Sequence, residues 1–386
     1  PEWLEHERNA TIFMRDRFIP YPLQRNFGHL PPEEVEACLE GLKQLTASGD
    51  DAIKPENFEA WLRQSFGDGL YDIFMEPYNY KVWAYPPRDM NSQWVGERVA
   101  QLNPDMLERI AKREVDGNWG PNSTFRYPKY GATGAIWLGL AAELDAERMN
   151  FNQQVVSIDA REKVASFSDG SSRKYDFLIS TLPLDQLCMM TKNTDGPDLS
   201  KLTDSFKHSS THVVGVGMKG PCPDHLRDKS WMYFPEMDTP FYRATVLSNY
   251  SPYVVPEPGK QWSLLLEVSE SPAKAVGQDV MGQTIEACRA IGLIPEKTEI
   301  VSQLHKRFEY GYPTPFLGRD GAVGLATEAL EQQGIFSRGR FGGWKYEVSN
   351  QDHTYMQGVE IASRLMRGEV EVTFPHPEIV NNGKKQ

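Results

Sequence analysis

The sequence predicts an α/β protein that combines a helical block, a segment of parallel sheet and a mixed or antiparallel sheet. Residues 27–118 show helical periodicity interrupted by loops rich in Tyr, Trp and Asn. The continuous apolar run at 175–181 is typical of a strand in a parallel sheet that is covered on both faces. Several short strands between residues 211 and 268 indicate the mixed or antiparallel sheet.

The elements of the first 118 residues are one strand followed by helices. Residues 12–21 alternate in polarity and predict a strand that ends at Pro20-Tyr21-Pro22. Two prolines at 31–32, followed by two acids, predict the start of a helix that runs to about Gln44. Further apolar stripes predict helices at 56–66, 70–74 and 96–115.

Strands and helices also account for the rest of the chain. A helix at 133–144 precedes a strand at 154–158, a second at 164–167 and the apolar strand at 175–181. The later elements are strands at 212–218, 231–234, 242–248, 262–268 and 299–308, and a helix at 276–291. A last helix at 353–366 is predicted to have Asp352 as its N-cap and Gly368 as its stop.

Composition limits the classes of function. The chain has 386 residues, of which 40% are hydrophobic, and at about 150 residues per domain this predicts two or three folded domains. A net charge of −12 argues against a surface for nucleic acid or for an anionic membrane. The four cysteines are far apart and show no metal-ligand spacing, so we expect no metal site and a reduced, cytoplasmic protein.

One glycine motif matches a dinucleotide-binding pattern but lacks the structural context that the pattern requires. Residues 215–220 match G-x-G-x-x-G letter for letter, but a dinucleotide fingerprint must open a helix. Pro221 and Pro223 follow at once and prevent that helix. We therefore interpret these glycines as small residues in a strand and its turn.

Three stretches carry side chains suited to binding a nucleotide. Residues 74–83 offer aromatic faces beside the amide of Asn79, which suits stacking a base, although a packed core cluster is the better explanation of this stretch alone. Arg243 lies in an apolar and aromatic strand, so its partner is either an acidic side chain or a ligand phosphate. Residues 338–346 form a basic, glycine-rich loop before the final helix, which favours an anionic ligand.

No side-chain nucleophile, metal-binding motif or catalytic triad is evident in the sequence. The isolated histidines are better explained as structural residues than as general bases. We therefore expect a cofactor to carry the chemistry.

Taken together, these stretches resemble the UDP-galactopyranose mutase family, in its eukaryotic, fungal-type branch. The matching segments follow the family's order and lie at 20–24, 77–83, 96–99, 117–122, 209–213, 241–253, 310–315 and 338–353. They cover nearly the whole chain. The sequence is also similar to the wider group of flavoproteins with a glutathione-reductase-type FAD-binding fold, whose sheet the strand at 176–183 would rejoin.

The resemblance implies a redox-neutral flavoenzyme that interconverts UDP-galactopyranose and UDP-galactofuranose, within galactofuranose biosynthesis for the cell wall. In that family reduced FAD acts through a flavin N5–sugar adduct, and NAD(P)H is the implied reductant. The alternatives are a non-catalytic UDP-sugar-binding protein and an amine-oxidase-like FAD oxidoreductase. Neither nucleic acid nor a membrane is an expected partner, and a homo-oligomer remains open.

The resemblance also implies roles for individual residues. Arg98, Arg243 and Asn122 are the implied catalytic residues: the arginines hold the diphosphate, and Arg98 and Asn122 approach the sugar. The implied substrate contacts are Tyr21, Gln24, Phe74, Tyr78, Asn79 and Trp83 at the uridine, and Tyr233, Tyr250, Tyr312 and Tyr346 at the diphosphate. The implied FAD contacts are Arg8, Arg340, Asn350 and Gln351.

The implied domains depart from the family at the N-terminus. They are a helical substrate domain at 27–118, an FAD-binding domain formed by 121–182 and 334–370, and a β-sheet domain formed by 8–26 and 183–333. The family's fold begins with a βαβ unit carrying the glycine fingerprint, which takes roughly 30 residues. Only seven residues precede Arg8, so the FAD-binding fold is incomplete in this sequence. Because the sugar-nucleotide residues are present, we expect a truncated form of a longer chain rather than a divergent protein.

Overall fold

The computed structural model describes residues 2–47, 54–95, 99–100, 102–114 and 123–381. The chain divides into two compact units, each built from three segments. The first unit is Pro1–Arg88, Ala100–Arg148 and Ser210–Glu309; the second is Asp89–Val99, Met149–Ser209 and Tyr310–Gln386. The three domains implied by the sequence divide the chain at other places and stay a prediction.

The strands are short except for three long ones in the sheet of the first unit. They are β1 (Trp3–Glu7), β2 (Ala10–Met14), β3 (Arg17–Pro20), β4 (Thr124–Pro128), β5 (Val155–Asp159), β6 (Val164–Phe167), β7 (Ser172–Lys174), β8 (Leu178–Ser180), β9 (Thr191–Lys192), β10 (His208–Lys219), β11 (Trp231–Tyr233), β12 (Arg243–Val246), β13 (Gln261–Glu270), β14 (Ile300–Pro313) and β15 (Ile335–Ser337).

The α-helices vary from a single turn to 17 residues. They are α1 (Pro32–Ala47), α2 (Phe58–Leu70), α3 (Glu76–Trp83), α4 (Leu107–Ala111), α5 (Gly134–Ala142), α6 (Leu184–Met190), α7 (Leu247–Tyr250), α8 (Val280–Ala290), α9 (Arg319–Glu331), α10 (Gln351–Arg367) and α11 (Pro377–Asn381). No helix in the described ranges is both long enough and apolar enough to cross a membrane.

A seven-stranded mixed sheet dominates the first unit. Its strand order is β14-β10-β13-β12-β11-β2-β3, and β11 pairs with β2 in parallel whereas β12 pairs with β13 antiparallel. Alternate residues of its central strands pack with α8 into one apolar core. The predicted mixed sheet is therefore confirmed. The glycine motif at 215–220 also lies in β10 and the turn after it, as predicted.

The N-terminal strand prediction is wrong in one respect. Residues 12–21 do not form one strand, because the chain reverses between β2 and β3 into an antiparallel hairpin. Arg15 and Asp16 turn the chain with φ values of 53° and 55°. Two consecutive left-handed residues give a turn whose twist matches paired strands, and this pair lacks the glycine that usually signals such a turn.

Helices α1 and α2 precede α3, the helix of the first unit that carries several aromatic side chains. Gly67 kinks α2 with a φ of 71°, and a Cβ there would lie 2.6 Å from the carbonyl carbon of Gly41 in α1, so α1 and α2 approach closely. A single π-helical turn, Tyr71–Met75, then leads into α3.

The helix predicted at 96–115 is wrong for the described part before Pro104, because a proline restricts the preceding residue to extended backbone.

The second unit holds the parallel pairs. β8 pairs with β15 in parallel and β5 pairs with β9 in parallel, while β5, β6 and β7 form an antiparallel meander. The predicted burial of the apolar strand is wrong for Phe177 and Ile179, which are about half exposed, whereas Ser180 is buried and Leu178 packs against the apolar core of this unit. β8 has one neighbour, β15, among the strands described, so its other edge is not covered by them.

The last long helix begins earlier than predicted. Asn350, not Asp352, is the N-cap of α10, and Asp352 lies in its first turn. Gly368 ends the helix with a φ of 71°, as predicted.

All four cysteines are free thiols. Burial raises the pKa of each one, and Cys188 and Cys288 are fully buried.

Candidate functional site

One row of side chains crosses the sheet of the first unit on the face opposite the α8 core. Tyr233 of β11 pairs with Arg243 of β12, which pairs with Glu267 of β13. Their chain neighbours, such as Met232 and Leu266, belong to the apolar core on the other face. Because side chains alternate along a strand, Tyr233, Arg243 and Glu267 share the face that lacks α8.

Arg243 is paired with a glutamate in this structure. Its Nη2 lies 2.6 and 2.7 Å from the two carboxylate oxygens of Glu267, and its Nε donates to Oε1 at 3.1 Å. The hydroxyl of Tyr242 donates to the same carboxylate at 2.5 Å. The Arg243 side chain remains 27% exposed and that of Glu267 only 13%. Of the two partners left open by the sequence, the acidic side chain is the one observed here, and a contact with a ligand phosphate stays a prediction.

Tyr233 of this row also belongs to a group of four neighbouring aromatic rings, which we call the aromatic cluster: Tyr21, Phe74, Tyr78 and Tyr233. Phe74 and Tyr78 stack with ring centres 5.1 Å apart and planes 8° apart. Tyr233 contacts Tyr78 edge-on at 5.8 Å and Tyr21 at 5.2 Å. Three of the predicted uridine contacts therefore come together next to a predicted diphosphate contact. The π-helical turn that holds Phe74 is a feature frequently found at functional sites.

The other three predicted uridine contacts make contacts inside the first unit. Asn79 donates to the carbonyl of Met75, the last residue of the π-helical turn, at 2.7 Å. Gln24 is buried and donates to the carbonyl of Ala100 at 3.2 Å. Trp83 is also buried. Their roles in uridine recognition remain predictions. For Asn79 and Gln24, contact with uridine requires that the side-chain amide binds a second partner or gives up its present acceptor.

Tyr250 lies near Arg243, and Arg8 lies near Tyr21 of the aromatic cluster. The hydroxyl of Tyr250 donates to the carbonyl of Ser230 at 3.1 Å. Burial raises the pKa of Tyr250, and the nearby charge of Arg243 acts in the opposite direction. The guanidinium of Arg8, a predicted FAD contact, lies 5.8 Å from the ring centre of Tyr21.

The second unit brings together a separate group of predicted residues. The guanidinium of Arg340 lies 4.9 Å from the ring centre of Tyr312 and 5.9 Å from that of Tyr346. The two tyrosine rings are 5.9 Å apart. Arg340 is also held by Ser349, whose carbonyl and hydroxyl accept from Nη1 at 3.2 and 3.1 Å.

The loop before α10 has the chemistry that a flavin requires. Asn350 and Gln351, both exposed, stand at the start of a 17-residue helix, and the Asn350 side chain makes no capping bond. The first N–H groups of a long helix and the cation of Arg340 favour an electron-rich or anionic group. Gly342 cannot be replaced, because a Cβ there would lie 2.2 Å from the carbonyl oxygen of Arg338. Arg340, Asn350 and Gln351 therefore fit a flavin, and their contacts with it stay a prediction.

Sequence reasoning missed Glu267, Tyr242 and Ser349. Glu267 is the single charged residue in the run Leu264–Val268, and that isolation is the signal that could have marked it as the partner of Arg243. Arg98 and Asn122, the remaining predicted catalytic residues, lie outside the described residues. Within the described ranges, no group of three or more His, Cys, Asp or Glu side chains has a metal-binding arrangement.

Comparison with known proteins identifies the family. Residues 24–257 match the family model of the flavin-containing amine oxidoreductases. The crystal structure of a reduced UDP-galactopyranose mutase is 43% identical, with a TM-score of 0.95 over 99% of this chain and 82% of that one.

More distant structures share the fold alone. An oxidoreductase from Methanosarcina mazei is 12% identical, with a TM-score of 0.58 over 94% of this chain and 82% of that one. A redesigned putrescine oxidase is 13% identical, with a TM-score of 0.58 over 95% and 83%. The family model over residues 24–257 and the 43% identity to the mutase structure show that the chain belongs to the UDP-galactopyranose mutase family, within the flavin-containing amine oxidoreductases.

Proposed function

We propose that this protein is a redox-neutral isomerase that interconverts UDP-galactopyranose and UDP-galactofuranose with FAD as its cofactor. The observation that carries the proposal is the position of Arg243 beside the aromatic cluster. A cation next to stacked rings is what a nucleoside diphosphate requires, because its base stacks and its diphosphate seeks a guanidinium. An oxidase of apolar amines would gain nothing from a charged row at this place.

In the first unit, we assign the uracil ring to the faces of Phe74 and Tyr78 and the diphosphate to Arg243. Tyr233 lies between them, since it contacts Tyr78 and pairs with Arg243 across the sheet. Its hydroxyl can donate to a phosphate oxygen alongside the guanidinium. Glu267 orients the guanidinium through Nε and Nη2, which limits the directions from which a phosphate approaches.

In the second unit, Tyr312 and Tyr346 are proposed diphosphate donors, and Arg340, Asn350 and Gln351 proposed flavin contacts. When bound and reduced, the flavin would supply the nucleophile, for which the sequence motifs offer no side-chain candidate. The protein's own residues hold the UDP group while the sugar rearranges, so that the departing group is retained at high effective concentration for the return step. Arg98 and Asn122 remain proposals on the sugar side.

Three finer points belong to the same proposal. NAD(P)H is the proposed reductant, the branch is proposed to be the eukaryotic, fungal-type one, and the product is proposed to serve cell-wall galactofuranose synthesis in the cytoplasm. Stopped-flow reduction of the FAD-loaded protein by NADPH and by NADH, read at the flavin absorbance, tests the reductant directly. Absence of bleaching with both nucleotides would contradict that assignment.

The decisive experiment is turnover by the FAD-loaded protein. The protein is reduced with dithionite under nitrogen, mixed with UDP-galactofuranose, and the nucleotide sugars are separated by anion-exchange chromatography. We expect UDP-galactopyranose to accumulate with the reduced protein and not with the oxidised one, because only the reduced flavin is nucleophilic. A reduced protein that binds UDP without any conversion would contradict the proposal and favour a non-catalytic UDP-sugar-binding protein.

A further inference from the structure

Lys81 is a buried amine at the end of the base-stacking face of α3. Phe74, Tyr78 and Lys81 follow one another at intervals of four and three residues, which places them on one side of the helical segment. Lys81 is only 1% exposed. Its Nζ donates to the backbone carbonyl of Glu236 and, at 2.7 Å, to the hydroxyl of Thr239.

Both acceptors lie in the connection between β11 and β12. Tyr233 ends β11 before this connection, and Arg243 begins β12 after it. The Lys81 amine therefore ties the base-stacking helix to the chain segment whose two ends carry Tyr233 and Arg243. The ring contact between Tyr78 and Tyr233 is a second tie between the same two parts.

The backbone of α3 is anchored from another strand. The hydroxyl of Ser269 donates to the carbonyl of Lys81 at 2.5 Å, and the hydroxyl of Ser271 donates to the carbonyl of Ala84 at 2.5 Å. These bonds satisfy carbonyls at the end of a helix, which have no partner within the helix itself. Ser269 follows Glu267 by two residues on β13, so the anchor lies on the strand that also orients Arg243.

An amine at this position is costly, and packing alone does not account for it. Burial lowers the pKa of Lys81 to about 7, with Lys274 acting in the same direction and Asp238 and Glu236 against it. The carboxylate of Glu236 is itself engaged by Arg15. A methionine would fill the same space without the cost of burying a polar group. What the amine adds is a pair of directed hydrogen bonds to the β11–β12 connection.

We propose that Lys81 is a positioning residue that fixes the distance between the base-stacking rings and Arg243, and so makes the site selective for a nucleoside diphosphate over a nucleoside. This inference rests on the proposed function, since it requires UDP to span the two parts. A ligand that contacts both parts gains from their fixed spacing, because α3 and the β11–β12 connection are already held in place before the ligand binds. A ligand that contacts one part does not share that gain.

Replacing Lys81 by methionine tests the inference. The dissociation constants of UDP and of uridine are measured by titration calorimetry on the FAD-loaded protein. We expect the K81M variant to bind UDP about tenfold more weakly while uridine binding changes by less than about twofold, because only the spacing is lost. An equal loss for both ligands, or an unchanged affinity for UDP, would overturn the inference.

Two further variants keep the test decisive. Leu264→Ala opens a cavity in the core on the opposite face of the sheet, so it lowers stability without touching α3, and we expect the ratio of UDP to uridine affinity to stay at the wild-type value. Thr239→Val removes one acceptor of Lys81 with little change in shape and should weaken UDP binding about threefold, which decides the question if K81M does not fold. A shifted ratio in Leu264→Ala, or an unshifted ratio in Thr239→Val, would overturn the inference.

The two proposals fail in different ways. A wild-type protein that does not bind UDP at all overturns the proposed function, and this inference with it. A wild-type protein that binds UDP, combined with a K81M variant of unchanged selectivity, overturns the role of Lys81 and leaves the proposed function standing.

Discussion

Arg243 in the first unit and Arg338 in the second are both held by glutamates, yet their surroundings differ. The side chains of Arg338 and Glu371 are 3% and 2% exposed, and Arg338 also reaches Glu331. Those of Arg243 and Glu267 are 27% and 13% exposed. A fully enclosed pair is committed to the fold, because no ligand can approach it. A pair that keeps an open side retains a charge that a ligand can still reach.

The comparison shows that the presence of an acidic partner does not by itself decide whether an arginine is structural. A guanidinium has five N–H donors in a fixed plane, so one carboxylate does not use all of its directions. Exposure and neighbours decide the question. Arg243 has stacked aromatic rings beside its row, whereas Arg338 has the ring of Phe374 at 4.5 Å and the buried carboxylate of Glu371 beside it.

The largest expected effect is on stability, at Arg338. Replacing Arg338 by methionine leaves the buried carboxylate of Glu371 with Arg364 as its remaining cation, and we expect the free energy of unfolding to fall by about 3–5 kcal/mol. Urea denaturation followed by circular dichroism measures the loss. Arg364→Met is the matched control, because the Arg364 side chain is 40% exposed and should cost about 1 kcal/mol or less. Equal losses in the two variants would contradict the distinction between enclosed and open pairs.

The next effect is on binding, at Arg243. We expect Arg243→Ala to weaken UDP binding by roughly 2–5 kcal/mol, measured by titration calorimetry, because a partly buried charge contact with phosphate is lost. Unchanged UDP affinity would show that Arg243 serves only as the partner of Glu267.

Glu267→Gln is the matched control for Arg243, and its effect should have the opposite sign. At a separation of about 6 Å and an effective dielectric constant of about 20, repulsion between this carboxylate and one phosphate charge is about 3 kcal/mol. The orientation that one hydrogen bond gives is worth about 1 kcal/mol, so repulsion outweighs it and UDP should bind more tightly. Weaker UDP binding in Glu267→Gln would mean that orientation is the larger contribution.

The smallest effect is the pH dependence of stability from Lys81. An unfolded lysine has a pKa of about 10.4, whereas burial lowers the pKa of Lys81 to about 7. Below pH 7 both states carry the proton and the buried charge destabilises the fold in full. As pH rises above 7 the folded state loses the proton first, so stability increases, by about 1 kcal/mol between pH 7 and 8.

Urea denaturation at pH 7 and pH 8 measures this increase, with K81M as the variant that should lack it. The interval ends at pH 8 because burial lowers the pKa of Lys274 to about 8, so its titration begins within the interval and adds a smaller rise that K81M retains. The same slope in wild type and K81M would contradict the assignment to Lys81.

Local sequence patterns predicted most of the helices and strands. They failed where a chain reversal or a tertiary contact determines the structure. The alternating run from Ile12 to Tyr21 reads as one strand because Arg15 and Asp16 lack the glycine that normally announces a hairpin. The helix predicted from the apolar stripe between Val99 and Ile110 did not take into account that Pro104 restricts Asn103 to extended backbone. The apolar run at 175–181 predicted parallel pairing correctly but not the exposure of Phe177 and Ile179, which depends on neighbouring strands.

The candidate site was predictable as a set of residue types and not as a set of contacts. The spacing of Phe74 and Tyr78 places them one helical turn apart, so their stacking follows from the sequence. The pairing of Arg243 with Glu267 depends on the register between β12 and β13, which no local pattern specifies. The bonds of Lys81 to the β11–β12 connection span more than 150 positions of sequence and were likewise out of reach.

The four free thiols bear on how this protein is handled. With no cystine to break and thiolates suppressed by burial, the fold does not depend on an oxidising medium. Dithionite or dithiothreitol can therefore be present throughout purification and assay without opening a covalent cross-link. The enzyme is proposed to work only when its flavin is reduced by two electrons, and a fold without disulfide bonds tolerates the strong reductants that keep the flavin in that form.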